Sequence, residues 1–179
     1  MNSDNNGSGL KYYGKYRGTV LNNLDPEFTG RLQVQVPDVT ALLPTSWALP
    51  CVPLAGPTGP PMGVYMVPPI QAGVWVEFEH GDVDKPIWSG CRWGTSADPP
   101  PLAKAGLPIS PPIVLQTAGQ NTLSISDLPG PTGGILIKSM TGASITVNET
   151  GIIIQNGQGA SIMLTGPTVT VNAGALVIT

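Results

Sequence analysis

The residues best suited to chemistry in this 179-residue sequence surround its single histidine. His80 directly follows Glu79, and Asp82 and Asp84 come soon after it. One imidazole and three carboxylates in so short a stretch suggest a metal or acid–base site. A metal site would draw on several histidine or cysteine ligands, or on the oxygen spacing of a calcium loop, and neither pattern is present. We therefore interpret the stretch as a solvated turn and predict no metal or cofactor there.

The sequence carries no other catalytic pattern. With one histidine and no G-x-S-x-G motif, a Ser-His-Asp triad is not predicted. Glu77 and Glu79 lie two positions apart, so their carboxylates would be side by side on one face of a strand. The carboxylates of a glycosidase instead lie on either side of the bond that is cleaved, about 5 to 9.5 Å apart and usually across a cleft. Neither a P-loop nor a G-x-G-x-x-G motif is present. We predict no catalytic residue and no enzymatic activity.

The two cysteines, Cys51 and Cys91, form no C-x-x-C pair and have no partners for a zinc site. We expect two buried free thiols, and a disulfide between them stays open at this stage.

These polar residues belong to a part of the chain in which apolar residues alternate with polar ones. Runs at 15–21, 31–36, 73–80 and 87–91 predict strands. In the run 73–80, the side chains of Val74, Val76 and Phe78 face one way. The Pro- and Gly-rich stretch 40–69 is expected to wrap the surface, with Trp47 and Tyr65 as anchors. About five strands in so short a segment indicate a small Greek-key barrel such as an OB-fold over residues 11–97.

Many OB-folds bind nucleic acid, but the charge of this chain disfavours that function. The formal net charge is −3, and no basic cluster with exposed aromatic residues is evident.

Because 41% of the residues are hydrophobic, we expect an ordered chain although only 11% are charged. The polar start, residues 1–10, is expected to be a flexible tail without a signal peptide. Residues 98–112 are rich in proline and predict a stiff, extended linker.

The last third, residues 113–179, consists of short β-branched runs separated by Gly, Asn and Pro. Corresponding apolar positions are 10, 7, 10, 7 and 7 residues apart, which is typical of a β-solenoid. The positions are Ile135, Ile145, Ile152, Ile162, Val169 and Leu176.

This region has little with which to build a core of its own. From Ala105 onward the only charged residues are Asp127, Lys138 and Glu149, and no aromatic residue follows Trp93. Thin strands with small side chains bury too little surface to be stable alone, and each would expose unpaired backbone. We therefore predict a closed homo-oligomeric β-prism, in which strands pair with those of other copies.

Three stretches resemble a known family in their order along the chain. Tyr16-Arg-Gly-Thr-Val20, Asp25-Pro26 and Gly30–Pro37 resemble the opening of the OB-fold in phage baseplate assembly protein V and in the spikes of type VI secretion and related contractile injection systems. The stretch from Gly73 to Asp82, followed by Lys85-Pro86 and Ser89-Gly90, resembles the second signature of that domain. The runs 141–147 and 166–171 resemble the β-helical needle of the family.

The resemblance implies an all-β protein in which an OB-fold precedes an intertwined homotrimeric triangular β-helix, or prism. It implies a structural central spike of a contractile tail, located in a virion tail or an extracellular injection particle that is assembled in the bacterial cytoplasm. The implied partners are two further copies, a baseplate hub protein at the OB-fold and, transiently, the target-cell membrane; a toxin cargo stays open. The implied trimer core consists of Ile135, Ile137, Ile145, Val147, Ile152, Ile154, Ile162, Leu164, Val169 and Val171.

The sequence departs from some members of the family both before the needle and at the end of the needle. It has no lysozyme domain before the needle and no His-x-His pair of the kind that binds iron at some phage tips. A solenoid requires a polar cap, yet the last residues are neutral and mostly apolar. We expect a PAAR-like tip protein to bind the end formed by Ala175, Leu176, Val177, Ile178 and Thr179.

Two alternatives of other classes stay open at the sequence level. One is a tail-associated enzyme that degrades cell wall or glycan, and the other is a trimeric tail adhesin. The adhesin would require aromatic or charged receptor contacts in the last third, where the sequence has almost none.

Overall fold

The computed structural model describes residues 10–56 and 59–178, and the chain divides into two compact units between Thr95 and Ser96. The first unit contains one sheet of five strands. They are β1 Tyr16–Asn22, β2 Gln33–Gln35, β3 Leu49–Pro50, β4 Gly73–Phe78 and β5 Pro86–Arg92.

The strand order β2-β1-β4-β5-β3 combines antiparallel pairs with one parallel pair, β3 with β5. The backbones of Leu32 and Ala48 exchange hydrogen bonds of 3.1 and 2.7 Å, so the segment that leads into β3 also lies beside β2. The sheet therefore curls into an OB-like half-barrel. This confirms the predicted all-β class and the OB-type first domain.

The concave side of this sheet forms the core of the first unit. Alternating residues of β2 and β4 point inward because successive side chains of a strand face opposite sides. The buried apolar residues are Val20, Leu32, Val34, Val36, Ala48, Val74, Val76, Phe78 and Trp88. The predicted inward face of the run 73–80 is thus confirmed. At the margin of this core, Tyr16 packs edge-on against Tyr12 and Phe78, and the rings of Tyr12 and Phe78 are tilted at 50° to one another.

The loop between β1 and β2 is held by one nearly buried carboxylate, that of Asp25. Its oxygens accept hydrogen bonds from the backbone N–H groups of Glu27, Thr29 and Arg31 at 2.8–3.1 Å. They also accept from the Thr29 hydroxyl at 3.0 Å and from Arg31 Nε and Nη2 at 3.0 and 2.7 Å. The Arg31 guanidinium, together with these donors, lowers the pKa of the Asp25 carboxyl far below its ordinary value of 3.8.

Several sequence predictions for the first unit need correction. The strand expected over 73–80 ends at Phe78, because Glu79–Gly81 form a 3-10 turn in which His80 has a φ of 53°. Cys51 and Cys91 are free but exposed, so the expectation of buried thiols was wrong. Tyr65 is exposed and therefore does not anchor its loop, whereas the ring of Trp47 lies 5.5 Å from the Arg31 guanidinium carbon.

Helical structure is confined to short turns in the part of the chain that is described. The helix α1 spans Pro37–Thr40, and 3-10 turns lie at Glu79–Gly81, Pro101–Lys104, Gly130–Thr132 and Asn172–Gly174. Within residues 10–56 and 59–178, no helix has the length and apolar character needed to cross a membrane. The turn at Pro101–Lys104 also shows that the segment 98–112 is not extended throughout.

The second unit contains a sheet of eight strands. They are β6 Ile113–Gln116, β7 Thr122–Ser126, β8 Gly134–Lys138, β9 Ser144–Asn148, β10 Gly151–Gln155, β11 Ser161–Thr165, β12 Thr168–Val171 and β13 Leu176–Ile178. Each strand pairs antiparallel with the next strand of the same chain. The expectation that their backbones must pair with other copies was therefore wrong, because short turns bring consecutive strands side by side.

Side chains in the turns form further hydrogen bonds at both ends of the strands. At one end, Asn121 Oδ1 accepts a hydrogen bond from Met140 N at 3.1 Å, and Asn172 Oδ1 accepts one from Ser161 N at 3.0 Å. At the other end, Glu149 Oε2 accepts a hydrogen bond from Gly130 N at 2.8 Å. The strands are thus held together by turn-to-turn contacts as well as by the backbone ladder.

We predict that Asp25→Asn destabilises the first unit and weakens its acid dependence, because an amide nitrogen cannot accept the Arg31 hydrogen bonds. A carboxylate whose pKa is lowered by folding stabilises the fold above its ordinary pKa of 3.8, and this contribution is lost as the pH falls toward the lowered value. The melting temperature of the variant should therefore fall by several degrees at pH 7 and by less at pH 3, where the contribution has begun to be lost.

Tryptophan fluorescence can follow this melt, since all four tryptophans precede residue 95. Glu27→Gln is the matched control, because Glu27 contacts Arg31 at 3.0 Å from a mostly exposed position. An Asp25→Asn variant that melts like the wild type at both pH values would contradict the prediction.

Candidate functional site

One face of the second-unit sheet consists entirely of aliphatic side chains in two parallel columns. The register places Ile135 opposite Val147 and Ile137 opposite Ile145, and the same alignment continues from strand to strand. We call this the aliphatic face. Its first column is Ile113, Ile125, Ile135, Val147, Ile152, Leu164 and Val169. Its second column is Leu115, Leu123, Ile137, Ile145, Ile154, Ile162, Val171 and Leu176.

Burial in this sheet is the reverse of what a self-sufficient domain shows. Apart from Val169 and Val171, which are intermediate, the side chains of the aliphatic face are 36–65% exposed. The buried residues of the sheet are instead the small polar Thr122, Ser124 and Ser144, at 7–8% exposure. An uninterrupted apolar surface of this kind marks an association surface.

The opposite face mixes polar and apolar side chains and satisfies its polar groups locally. Gln155 Nε2 donates to Ser144 Oγ at 3.0 Å, and the Thr122 hydroxyl donates to Gln116 Oε1 at 3.3 Å. Lys138 extends into solvent from this side. The two faces are thus chemically distinct, and among the side chains that the structure describes, those of the aliphatic face carry no polar group.

All ten residues predicted for the trimer core lie on the aliphatic face. The aliphatic face also includes five residues outside that predicted set, namely Ile113, Leu115, Leu123 and Ile125 of the first two strands and Leu176 in the second column. The same alternation of apolar residues in the runs 113–116 and 122–126 would have revealed them.

The predicted tip-binding end is only partly described. Ala175 follows the 3-10 turn Asn172–Gly174, and Leu176 begins β13 with its side chain about half exposed. Thr179 lies outside the described residues, and the side chains of Val177 and Ile178 are likewise not described.

The residues around His80 do not converge. The imidazole is mostly exposed, and its Nε2 lies 3.9 Å from Glu79 Oε1, beyond hydrogen-bonding distance. Asp82 instead caps its own turn, where its Oδ1 accepts a hydrogen bond from Asp84 N at 3.1 Å. Among residues 10–56 and 59–178, no group of three or more possible ligands is placed to hold a metal ion.

An OB-like domain followed by a sheet with one uncovered aliphatic face defines a structural protein that assembles with copies of itself. Comparison with protein families supports this class in both units. Residues 16–93 match the type VI secretion system/phage-baseplate injector OB domain, and residues 112–177 match the phage baseplate V C-terminal trimerisation domain. The chain belongs to the phage baseplate V family of structural, non-enzymatic spike proteins. No curated protein matches the chain.

These matches confirm the family resemblance, the predicted lack of enzymatic activity and the location in a phage-type tail baseplate. They also support the homotrimer, since the trimerisation domain spans β6 through β12 and most of β13. The alternative of a cell-wall or glycan-degrading enzyme is therefore excluded.

We predict that Ile137→Asp prevents trimer formation, whereas Lys138→Asp on the adjacent, opposite-facing position does not. In a trimer built on the aliphatic face, the new carboxylate at 137 would be buried without a partner, at a cost of roughly 3–5 kcal/mol per copy. Light scattering of the two purified variants gives their masses directly. If Ile137→Asp remained a trimer as stable as Lys138→Asp, the aliphatic face would not be the interface.

Proposed function

We propose that three copies of this chain form the central spike of a contractile tail or injection particle. The observation that carries the proposal is the aliphatic face, which is continuous over the sheet and lies within the trimerisation domain. In the proposed assembly, the three sheets close into a triangular prism with their aliphatic faces inward. The interior then consists of the two columns from each copy.

This arrangement removes the apolar surface that one chain leaves in water. Covering the exposed half of an isoleucine or leucine side chain contributes roughly 1 kcal/mol. Because every strand contributes to the columns, the gain accumulates along the whole sheet. A closed prism also leaves no aliphatic patch available for further, uncontrolled association.

The sheet has features that suit a part that must withstand force. Its inner strands have hydrogen-bonded neighbours on both sides, and ties such as Glu149 to Gly130 and Asn172 to Ser161 join the turns. Sliding one strand past the next would break several of these bonds together. We propose that contraction of a tail drives such a needle through the envelope of the target cell.

The two ends of the spike are assigned to different partners. We propose that the OB domain attaches to a baseplate hub protein, as the family implies. At the other end, among the described residues, β13 pairs only with β12 and its outer edge is open. An open strand edge beside the half-exposed Leu176 is suited to a flat protein surface, and we propose that a PAAR-like tip protein binds there.

The oligomeric mass tests the core of this proposal. The purified chain should elute as a species of three times 18.5 kDa and should resist dissociation by SDS without heating. A stable monomer at micromolar concentration would refute the central spike, since a single sheet cannot cover its own aliphatic face.

The tip site is tested separately with Ala175→Asp, which should abolish co-purification of a co-expressed PAAR-repeat protein while leaving the trimer intact, because Ala175 is exposed, precedes β13 and belongs to neither aliphatic column. The charge would lie at the apolar end surface without a partner, so binding should weaken by at least about tenfold. Lys138→Asp serves as the control, because it adds the same side chain on the solvent-facing side. Equal recovery of the tip protein with both variants would remove the C-terminal end as its binding site.

A further inference from the structure

The two ends of the strands in the second-unit sheet differ in chemistry. Because each strand pairs antiparallel with the next, the turns between strands alternate between the two ends. At one end, which we call the amide end, lie the turns 117–121, 139–143, 156–160 and 172–175. At the other end, which we call the acidic end, lie the turns 127–133, 149–150 and 166–167.

The amide end carries asparagines whose oxygens are engaged within the chain. Asn156 Oδ1 accepts hydrogen bonds from the backbone N–H groups of Gln158 and Ala160 at 2.9 and 3.0 Å. The Oδ1 atoms of Asn121 and Asn172 also accept from backbone N–H groups. None of these bonds uses the Nδ2 amino group, which carries the two donors of a side-chain amide. Because all three side chains are exposed, a row of N–H donors runs along this end.

The acidic end is rich in acceptors. Asp127 and Glu149 both lie there, and both side chains are exposed. Glu149 Oε2 accepts a hydrogen bond from Gly130 N, but an ionised carboxylate offers about four acceptor positions. Prolines in these turns contribute a carbonyl oxygen and no N–H group. They are Pro129, Pro131 and Pro167.

Threefold closure brings these two unlike ends together. Copies related by a threefold axis contact one another through two different surfaces, because each rotation places one side of a copy against the opposite side of the next. In the proposed prism, each sheet forms one wall and the ends of its strands lie at the corners. The amide end of one copy therefore meets the acidic end of the next.

The level of the turns along the prism identifies which residues face each other. Glu149 directly follows β9, and Asn156 directly follows β10. Adjacent strands lie about 4.8 Å apart, so these two turns differ in level by one strand spacing. A glutamate side chain can span that difference.

We infer that the acidic end of each copy binds the amide end of a second copy, with the Glu149 carboxylate accepting a hydrogen bond from Asn156 Nδ2 of the neighbouring copy. The inference rests on the proposed trimer and adds to it a polar contact that lies outside the aliphatic face. The occupant is a second copy because one end offers donors, the other offers acceptors, and closure of the trimer pairs them. Hydrogen bonds to a carboxylate are stronger than those between neutral groups, so the contact also fixes how the walls join.

The test joins the two ends through introduced cysteines. Thr150→Cys and Gln158→Cys are combined in a Cys51→Ser/Cys91→Ser background, because both native thiols are exposed. Within one chain, the five residues of β10 separate positions 150 and 158 by roughly 17 Å, too far for a disulfide. Light scattering confirms the trimer before the oxidant diamide is added.

The matched control is Thr141→Cys/Gln158→Cys, in which both thiols lie at the amide end. The turns that carry them are neighbours within one chain, since a Cβ on Gly142 would lie 3.6 Å from Gly157 Cα. Any disulfide in the control therefore stays within a chain.

After oxidation and heating in SDS without reductant, most Thr150→Cys/Gln158→Cys chains should migrate as covalent dimers and trimers. The control chains should migrate as monomers. A trimer in which both cysteine pairs leave the chains monomeric, or link them equally, would overturn this inference and leave the proposed function intact. A wild-type protein that is not a trimer would overturn both.

An exchange of side chains tests the donor and acceptor directly. Asn156→Asp keeps an oxygen for the Gln158 and Ala160 N–H groups but places a carboxylate opposite Glu149, so the trimer should dissociate at a temperature several degrees lower. Adding Glu149→Gln supplies an amide donor on the other side and keeps an oxygen for Gly130 N, so most of this loss should be recovered. If the second substitution left the dissociation temperature unchanged or lowered it further, residues 149 and 156 would not be in contact and the inference would fail.

Discussion

The structure of this protein depends on the fact that a thin sheet cannot cover its own face. The second unit has one layer of strands, so its aliphatic columns have nothing from the same unit packed over them. A globular domain solves this problem by adding a second layer. In the proposed trimer the second layer comes from other copies, which agrees with the match to a trimerisation domain. Association of three copies would therefore stabilise this unit by covering its aliphatic face.

The two units of the chain are stabilised in opposite ways. The first has a conventional core of fully buried residues such as Val34, Val74 and Val76, and a loop fastened by the Asp25 carboxylate. The second has small polar residues buried within its sheet and aliphatic residues left outside. This division follows composition, because all aromatic residues and most charges precede the proline-rich segment. Aromatic rings fill a closed core, whereas repeated small aliphatic side chains form regular columns.

Much of this organisation could be predicted from the sequence because side-chain alternation is a local property. The alternation of apolar and polar residues assigned Val74, Val76 and Phe78 to the core. It also assigned the alternating apolar residues between Ile135 and Val171 to one face of their strands, without knowledge of strand pairing. Which strand pairs with which could not be read in this way, since a strand offers the same backbone groups to its own chain and to another copy. The pairing within the chain became apparent only in the structure.

Other features escaped prediction because they depend on contacts that are distant in the sequence or on a single dihedral angle. The strand expected to reach His80 ends at Phe78 because His80 adopts a positive φ. The thiols of Cys51 and Cys91 are exposed because of how the surrounding loops lie, which no local pattern encodes. The turn Leu107–Ser110 is held by a hydrogen bond from the Ser110 hydroxyl to Asp127, 17 residues away.

The meander order of the second sheet has a consequence for how the protein is made. Every strand finds its partner in the segment just synthesised, so the sheet has low contact order and needs no distant loop closure to form. Each strand can pair with the preceding strand as the chain leaves the ribosome. Only the later association of these sheets depends on protein concentration. The slow, bimolecular step is thus separated from folding of the backbone. In the proposed trimer, three sheets whose backbone pairing is already complete would then associate through their aliphatic faces.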